Sequence, residues 1–223
     1  MMIGPANFIN ESLLGKSCEA AKKEVQSLLK EIKRLKKVVE EEPDSEEMMY
    51  CPMPDVKIST YRDYLEAAKD YFKSRGWEYE PTKEEIADKE FNDRLKDVQR
   101  IEISYGGYLS GYDERTITFD DQKIITDRNT TFALPSMREL SRKFFRGMTK
   151  DSLLEELKDL HIGEWKKWYE DTCVMDGIEW SVKFIYVDGK KRNFSGSNRF
   201  PYNFYKFLDL MQIDSSQEQN TTL

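Results

Sequence analysis

Histidine occurs once in these 223 residues, at position 161, and cysteine three times, at 18, 51 and 173, with no CxxC pair. One histidine cannot build a multi-histidine metal site, and the scattered cysteines offer no disulfide framework. Cysteine usage of this kind fits a reducing compartment, so a cytoplasmic location is expected. No apolar run approaches the roughly 18 residues that a bilayer span needs. The opening MMIGPANFINESLLGK lacks the basic and apolar regions of a signal peptide. Leu14-Gly15-Lys16-Ser17 ends like a phosphate-binding loop, but Asn10 stands where that motif needs its first glycine. Lys16-Ser17 therefore reads as a helix start. No catalytic constellation stands out, so a non-enzyme is the main expectation, with no cofactor and no metal.

Charge and aromatics are plentiful. Charged residues make up 35% of the chain and aromatics 13%, the latter too many for a disordered chain. Net charge is -7 and the isoelectric point is near 5.1, which disfavours nucleic acid as a partner of the whole protein and favours basic protein surfaces.

The clearest pattern is a stripe of alternating three- and four-residue steps: Cys18, Ala21, Val25, Leu28, Ile32, Leu35 and Val39. This is the a/d spacing of a heptad repeat. Ser17 can cap the helix and Pro43-Asp44-Ser45 can stop it. β-Branched residues at a with leucine at d favour a parallel two-stranded coil, so residues 17–42 could form a homodimer. The same stripe could instead pack on the chain's own helices.

An acidic linker, Glu40 to Glu47, and an extended Cys51-Pro-Met-Pro54 follow. Thr60 to Gly76 reads as a second helix, and Thr82-Lys-Glu-Glu85 is a capping box opening a third, to about Asp97. From Val98 the apolar period changes to two. Strands are expected around Ile101–Tyr105, Arg115–Phe119, Lys123–Thr126, Glu164–Tyr169, Ile178–Val187 and Lys190–Ser195, with Asp188-Gly189 as a hairpin turn. Helices are expected over Ser136–Phe145 and Thr149–Leu160, and after Pro201 at a first turn. The fold class is α+β: a helical region at 1–97, an antiparallel sheet domain with helices at 98–213, and a flexible tail at 214–223.

Candidate ligand or nucleic-acid contacts fall in three places. In Gly106-Gly107-Tyr108 and Gly111-Tyr112, glycines could let backbone approach a ligand while Tyr108 and Tyr112 stack; a tight bend is the alternative. Trp165, Lys166, Lys167 and Trp168, with Lys191 and Arg192, mix cations and rings as single-strand binders do; a sheet with tryptophans inward gives the same pattern. Ser197, Asn198 and Arg199, just before Pro201, could hold an anion or satisfy a helix start. His161 closes a helix, where an imidazolium suits the negative end. An enzyme using His161, Asp176 or the Gly-Tyr loop is the third alternative.

Leu160-His-Ile-Gly-Glu-Trp165, Asp176-Gly-Ile-Glu-Trp180, and Gly196-Ser-Asn198 before Phe200-Pro201 occur together with the Gly-Tyr loop and the Gly15-Lys-Ser17 helix start. In this combination the chain resembles, over most of its length, a family of uncharacterised bacterial proteins. That resemblance implies the α+β layout and no known activity. The expected function is a regulatory protein that acts by protein–protein contact, for instance a phage or mobile-element inhibitor of a host defence nuclease. The interaction residues expected on the helical arm are Val25, Leu28, Ile32, Leu35 and Val39. A nucleic-acid-binding module is the alternative.

Overall fold

A computed structural model describes residues 3–107, 111–131, 145–174 and 177–213. The expected helix at 136–145, apart from Phe145, and the tail 214–223 lie outside the described residues. The chain divides into two compact units, Met1–Pro81 and Thr82–Leu223. Among the described residues no helix is long and apolar enough to cross a membrane.

The first unit is helical. A short helix α1 (Pro5–Phe8) runs into a π-turn (Ile9–Leu13), and a 24-residue helix α2 (Cys18–Glu41) follows. Ser17 caps α2 by accepting the Ala20 N–H, and Lys16 pairs with Glu24 at 2.6 Å, so Lys16-Ser17 serves the helix start. A 3-10 turn (Glu46–Met49) leads to α3 (Pro54–Ser74). Helix α3 begins six residues earlier than Thr60 because Pro54 occupies its first turn, where no backbone donor is missed.

The heptad stripe is covered within the chain. Ala21, Val25, Leu28, Ile32 and Leu35 are buried, and α2 packs against α3, which buries Ile58, Leu65, Ala68 and Phe72 at matching three- and four-residue steps. The two helices form a hairpin. Beyond Leu35 the buried position is Val38, and Val39 is half-buried. A straight helix has 3.6 residues per turn, so a 3.5-residue stripe drifts off the contact face. The N-terminal segment is also fastened here: Phe8 stacks on Tyr64 at 4.7 Å, and the Tyr64 hydroxyl both donates to the Ile3 carbonyl and accepts its N–H.

The second unit opens with α4 (Lys83–Leu95), whose capping box joins Thr82 and Glu85. Helix α4 buries Phe91 and Leu95 in the core of this unit, so the third helix belongs with the sheet and the division falls at 81/82, before the change of period at Val98. Then come β1 (Val98–Gly107), β2 (Gly111–Asp120), β3 (Lys123–Thr131), α5 (Lys150–Asp159), a 3-10 turn (Ile162–Glu164), β4 (Trp168–Glu170), β5 (Glu179–Tyr186), β6 (Lys191–Ser197) and α6 (Phe204–Leu210).

The six strands form one sheet in the order β3-β2-β1-β5-β6-β4. All pairs are antiparallel except β4–β6, which is parallel, so the sheet is mixed where an antiparallel one was expected. The stretch Glu164–Tyr169 gives only the start of β4, because Ile162–Glu164 closes a 3-10 turn first. The β5–β6 connection spans 187–190 with Gly189 at φ +78°, a longer loop than a two-residue turn. Pro201 precedes α6 and accepts the Phe204 N–H rather than sitting inside the helix.

One sheet face carries Ile101, Ile103, Val182, Phe184 and Phe194, and these share a core with Leu153 and Leu157 of α5 and Phe204 and Phe207 of α6. Register places Arg100, Glu102, Thr116, Ser181, Lys183 and Asn193 on the opposite, polar face. Arg115 is the exception on the core side. Its guanidinium is fully buried and donates to the Met211 and Gln212 carbonyls at 2.9 and 2.7 Å, a cation at the negative end of α6.

Candidate functional site

The connection between α2 and α3 is anchored by one arginine. The Arg34 guanidinium donates to Glu31 at 2.9 and 2.8 Å, and to both Glu47 oxygens at 2.7 and 2.8 Å. Glu31 lies one turn before Arg34 on α2, whereas Glu47 lies in the 3-10 turn. The planar fork of five donors thus ties the loop to the helix, as a lysine could not. Lys57 of α3 stands 3.7 Å from Glu47. Hydrogen bonds from Arg34 hold both glutamates below the ordinary value of 4.5.

The same connection and the start of α3 carry apolar side chains that face water. Met49 is 82% exposed, Tyr50 63%, Met53 47% and Val56 42%. Four large apolar side chains within eight residues are unusual on an otherwise charged surface, and contiguous exposed apolar groups mark contact sites. Methionine adds adaptability at such surfaces. Between Glu40 and Lys57 stand seven carboxylates and one lysine, a net charge of -6 against -7 for the whole chain. Glu41, Glu42, Asp44 and Glu46 are exposed around the patch.

The clamp makes a pH prediction. Both glutamates have folded-state values below their unfolded ones, so the stabilisation is present above 4.5 and is lost as pH falls through the depressed folded values. Backbone amide shifts of residues 45–50 should therefore titrate below pH 4.5. In Arg34→Met the midpoint should move up toward 4.5; an unchanged midpoint would mean that Arg34 does not set it.

The residues singled out in the second unit do not converge on one site. Gly106 and Gly107 pair with Tyr112 and Gly111 across the β1–β2 hairpin, and a Cβ at Gly106 would lie 2.0 Å from the Gly111 carbonyl oxygen. The glycines serve the close approach of two strands. Tyr112 donates to Glu179 at 3.0 Å; burial, then this carboxylate, pushes its phenol up. Tyr108 and Asp176 lie outside the described residues.

The basic-aromatic set is divided by the sheet. Trp165 is 4% exposed, its indole donating to Asn203 at 2.9 Å and its ring edge-on to Phe194 and Phe207. Trp168 is 54% exposed on β4 and donates to Glu170. Lys166 sits over the Tyr169 ring, Lys167 and Lys191 are exposed, and Arg192 lies over Phe194. Trp165 is therefore unavailable to a stacked base. Ser197, Asn198 and Arg199 close the ends of β5 and β6. Asn198, at φ +57°, accepts the Ile178 N–H through its side chain and donates its own N–H to the Ile178 carbonyl, both at 2.8 Å. Ser197 accepts the Asp171 N–H, and Arg199 pairs with Asp171 at 2.8 Å while its carbonyl accepts from Trp180.

His161 takes φ +48° after α5, and its ring meets Asp88 of α4. Its Nδ1 lies 2.8 Å from Asp88, which also accepts from the Gly163 N–H at 3.0 Å and from Asn92 at 3.2 Å. Glu164 is near, with one donor atom of each of the three residues within 4.8 Å of the others. Asp88 thereby contacts His161, Gly163 and Asn92 and joins α4 to the 161–164 turn. Gly163 is required at that joint, because a Cβ there would stand 2.4 Å from the Asp88 Cα. An open cleft of about 1010 Å³ in this unit is lined by Lys96, Lys150 and Lys158 and by Asp93, Asp121, Asp151 and Glu155, a mixture of both signs that includes none of Asp88, His161 and Glu164.

Sequence reasoning missed the apolar patch, although Met48-Met49-Tyr50 and Met53 stand as bulky residues inside an acidic, proline-bounded linker. It also missed the Arg34 clamp and the Asp88 joint, whose partners are 13 and 73 or more residues apart in sequence. Compared with protein-family models, curated proteins and solved structures, the chain matches none of them.

Proposed function

We propose that this chain is a non-enzymatic regulatory protein that works by binding another protein, with the tip of the α2–α3 hairpin as its contact surface. The single observation that supports this reading is the exposure of Met49, Tyr50, Met53 and Val56 on a loop clamped in place by Arg34. An ordered apolar patch loses little conformational entropy when a partner covers it. The heptad stripe, which was the expected surface, is already used within the chain. An inhibitor that covers a nuclease is one form of this reading, since surfaces that handle nucleic acid are basic and the tip is acidic.

The test uses a photo-crosslinking residue placed at position 49, 53 or 181. Ser181 is exposed on the polar sheet face and serves as the control. The expected result is one crosslinked protein species from positions 49 and 53, absent from position 181 and reduced at least about tenfold in Tyr50→Ala, as for loss of a central aromatic anchor. Equal crosslinking from all three positions would overturn the reading.

A further inference from the structure

The same tip carries information about the partner's chemistry. Helix α2 ends in Glu40 and Glu41 with Glu42 at its C-cap and no basic residue in its last turn. Carboxylates at a helix C-terminus oppose the helix dipole, so this end of α2 runs against the local electrostatic rule. Asp44, Glu46 and Asp55 add three more, and these three form no ion pair among the described residues. Glu40 is buried and partnered, Lys37 stands 3.8 to 4.0 Å from Glu42 and Glu41, and Arg34 and Lys57 contact Glu47. A cationic partner would supply counter-charges to Asp44, Glu46 and Asp55, which have none among the described residues.

The described residues of this unit contain no strand, so the tip has no open edge for an extended peptide to join. What it presents is an apolar patch of Met49, Tyr50, Met53 and Val56 inside an acidic rim. An amphipathic helix has the complementary form, with an apolar stripe flanked by cations. We infer that the hairpin tip docks a basic amphipathic helix of a partner protein, its apolar stripe on the methionine–tyrosine patch and its lysines and arginines against the exposed carboxylates of Glu42, Asp44 and Glu46. This inference rests on the reading of the tip as a contact surface.

The probe is a fluorescein-labelled 18-residue peptide with leucine and tryptophan at i, i+3, i+4 and i+7 and lysine or arginine elsewhere. Two controls keep its length: one replaces the cations with glutamate, and the other scrambles the order so that no apolar stripe forms. Anisotropy is read with the full chain at 50 and 300 mM NaCl. The basic amphipathic peptide should bind about tenfold or more tighter than either control, and its affinity should fall at least about threefold at the higher salt, as for an interface with exposed charge pairs. Asp44→Lys with Glu46→Lys, and separately Met49→Ser with Met53→Ser, should each weaken it about tenfold, with helical circular dichroism unchanged, since all four side chains are exposed.

Failure of the two ideas is distinguishable. If the glutamate control binds as tightly and Met49→Ser with Met53→Ser still abolishes it, the partner class is wrong and the tip remains a contact surface. If no peptide responds to either pair of substitutions, both readings fall. Self-association in light scattering that disappears in Met49→Ser with Met53→Ser would make a second copy the occupant and overturn the inference.

Discussion

Ile32→Asp is expected to melt the helical hairpin while leaving the mass of the protein in solution unchanged. Ile32 is 6% exposed at the centre of the α2 stripe and packs within the chain against α3. Removing an isoleucine from such a site costs about 2–5 kcal/mol through lost transfer energy and the cavity left behind. An unpaired carboxylate in the same place adds several kcal/mol more, or takes up a proton to avoid the charge. Small domains have little stability to spare, on the order of 5 kcal/mol at the low end of the usual range. Far-ultraviolet circular dichroism should show loss of helix at a temperature where the wild type is folded, and light scattering should give equal masses. A wild-type dimer that Ile32→Asp converts to monomer would place the stripe between chains and overturn the intramolecular packing.

Trp165→Ala and Trp168→Ala should differ by several kcal/mol, although the two tryptophans stand three residues apart. The Trp165 ring fills the space between β5, β6 and α6, touching Trp180, Phe194, Phe204 and Phe207. Truncating it costs about 3–5 kcal/mol, and a further ~1 kcal/mol follows from the buried Asn203 oxygen that loses its donor. Trp168 faces solvent from an edge strand, so its truncation should stay within about 0.5 kcal/mol. Denaturant unfolding of the two variants decides the point. Equal effects would mean that the 165–170 segment does not hold the alternation described. If Trp168→Ala instead abolished binding to a single-stranded oligonucleotide at low salt, the nucleic-acid reading would regain support; the carboxylate of Glu170 on the Trp168 indole argues the other way.

Much of the fold was legible wherever a local pattern and its tertiary use coincide. Ser17 and Thr82 each cap a helix with the side chain that their position in the sequence implies. The alternation Trp180, Val182, Phe184 and Tyr186 lies on the core face of β5, because a strand buried on one side must alternate. The end of α2 at Glu41 follows from the proline and turn residues after it. Legibility stopped at Pro54, read as part of an extended linker although a proline also suits a first helical turn, and at β4, too short for its period to be read. For the candidate surface, the acidic linker was readable and the apolar patch was not. Whether Met49, Tyr50 and Met53 point into a core or into water is set by tertiary packing and not by their neighbours in the linker.

The sequence by itself determined the helical start, the change of period at Val98, the α+β class and the concentration of negative charge between Glu40 and Glu47. These are properties of neighbouring residues, set by propensity, capping and hydrophobic spacing. Only the tertiary structure decided that the heptad stripe faces α3, that α4 belongs with the sheet, that β4 joins β6 in parallel, that Trp165 is core while Trp168 is surface, and that Asp88 holds His161. Each of those rests on a contact between residues distant in the chain, where several partners satisfy the same local pattern and packing selects one. The hairpin tip shows both sides: its charge was written in the linker, while the exposure of its apolar side chains and the Arg34–Glu47 tie belong to the tertiary structure.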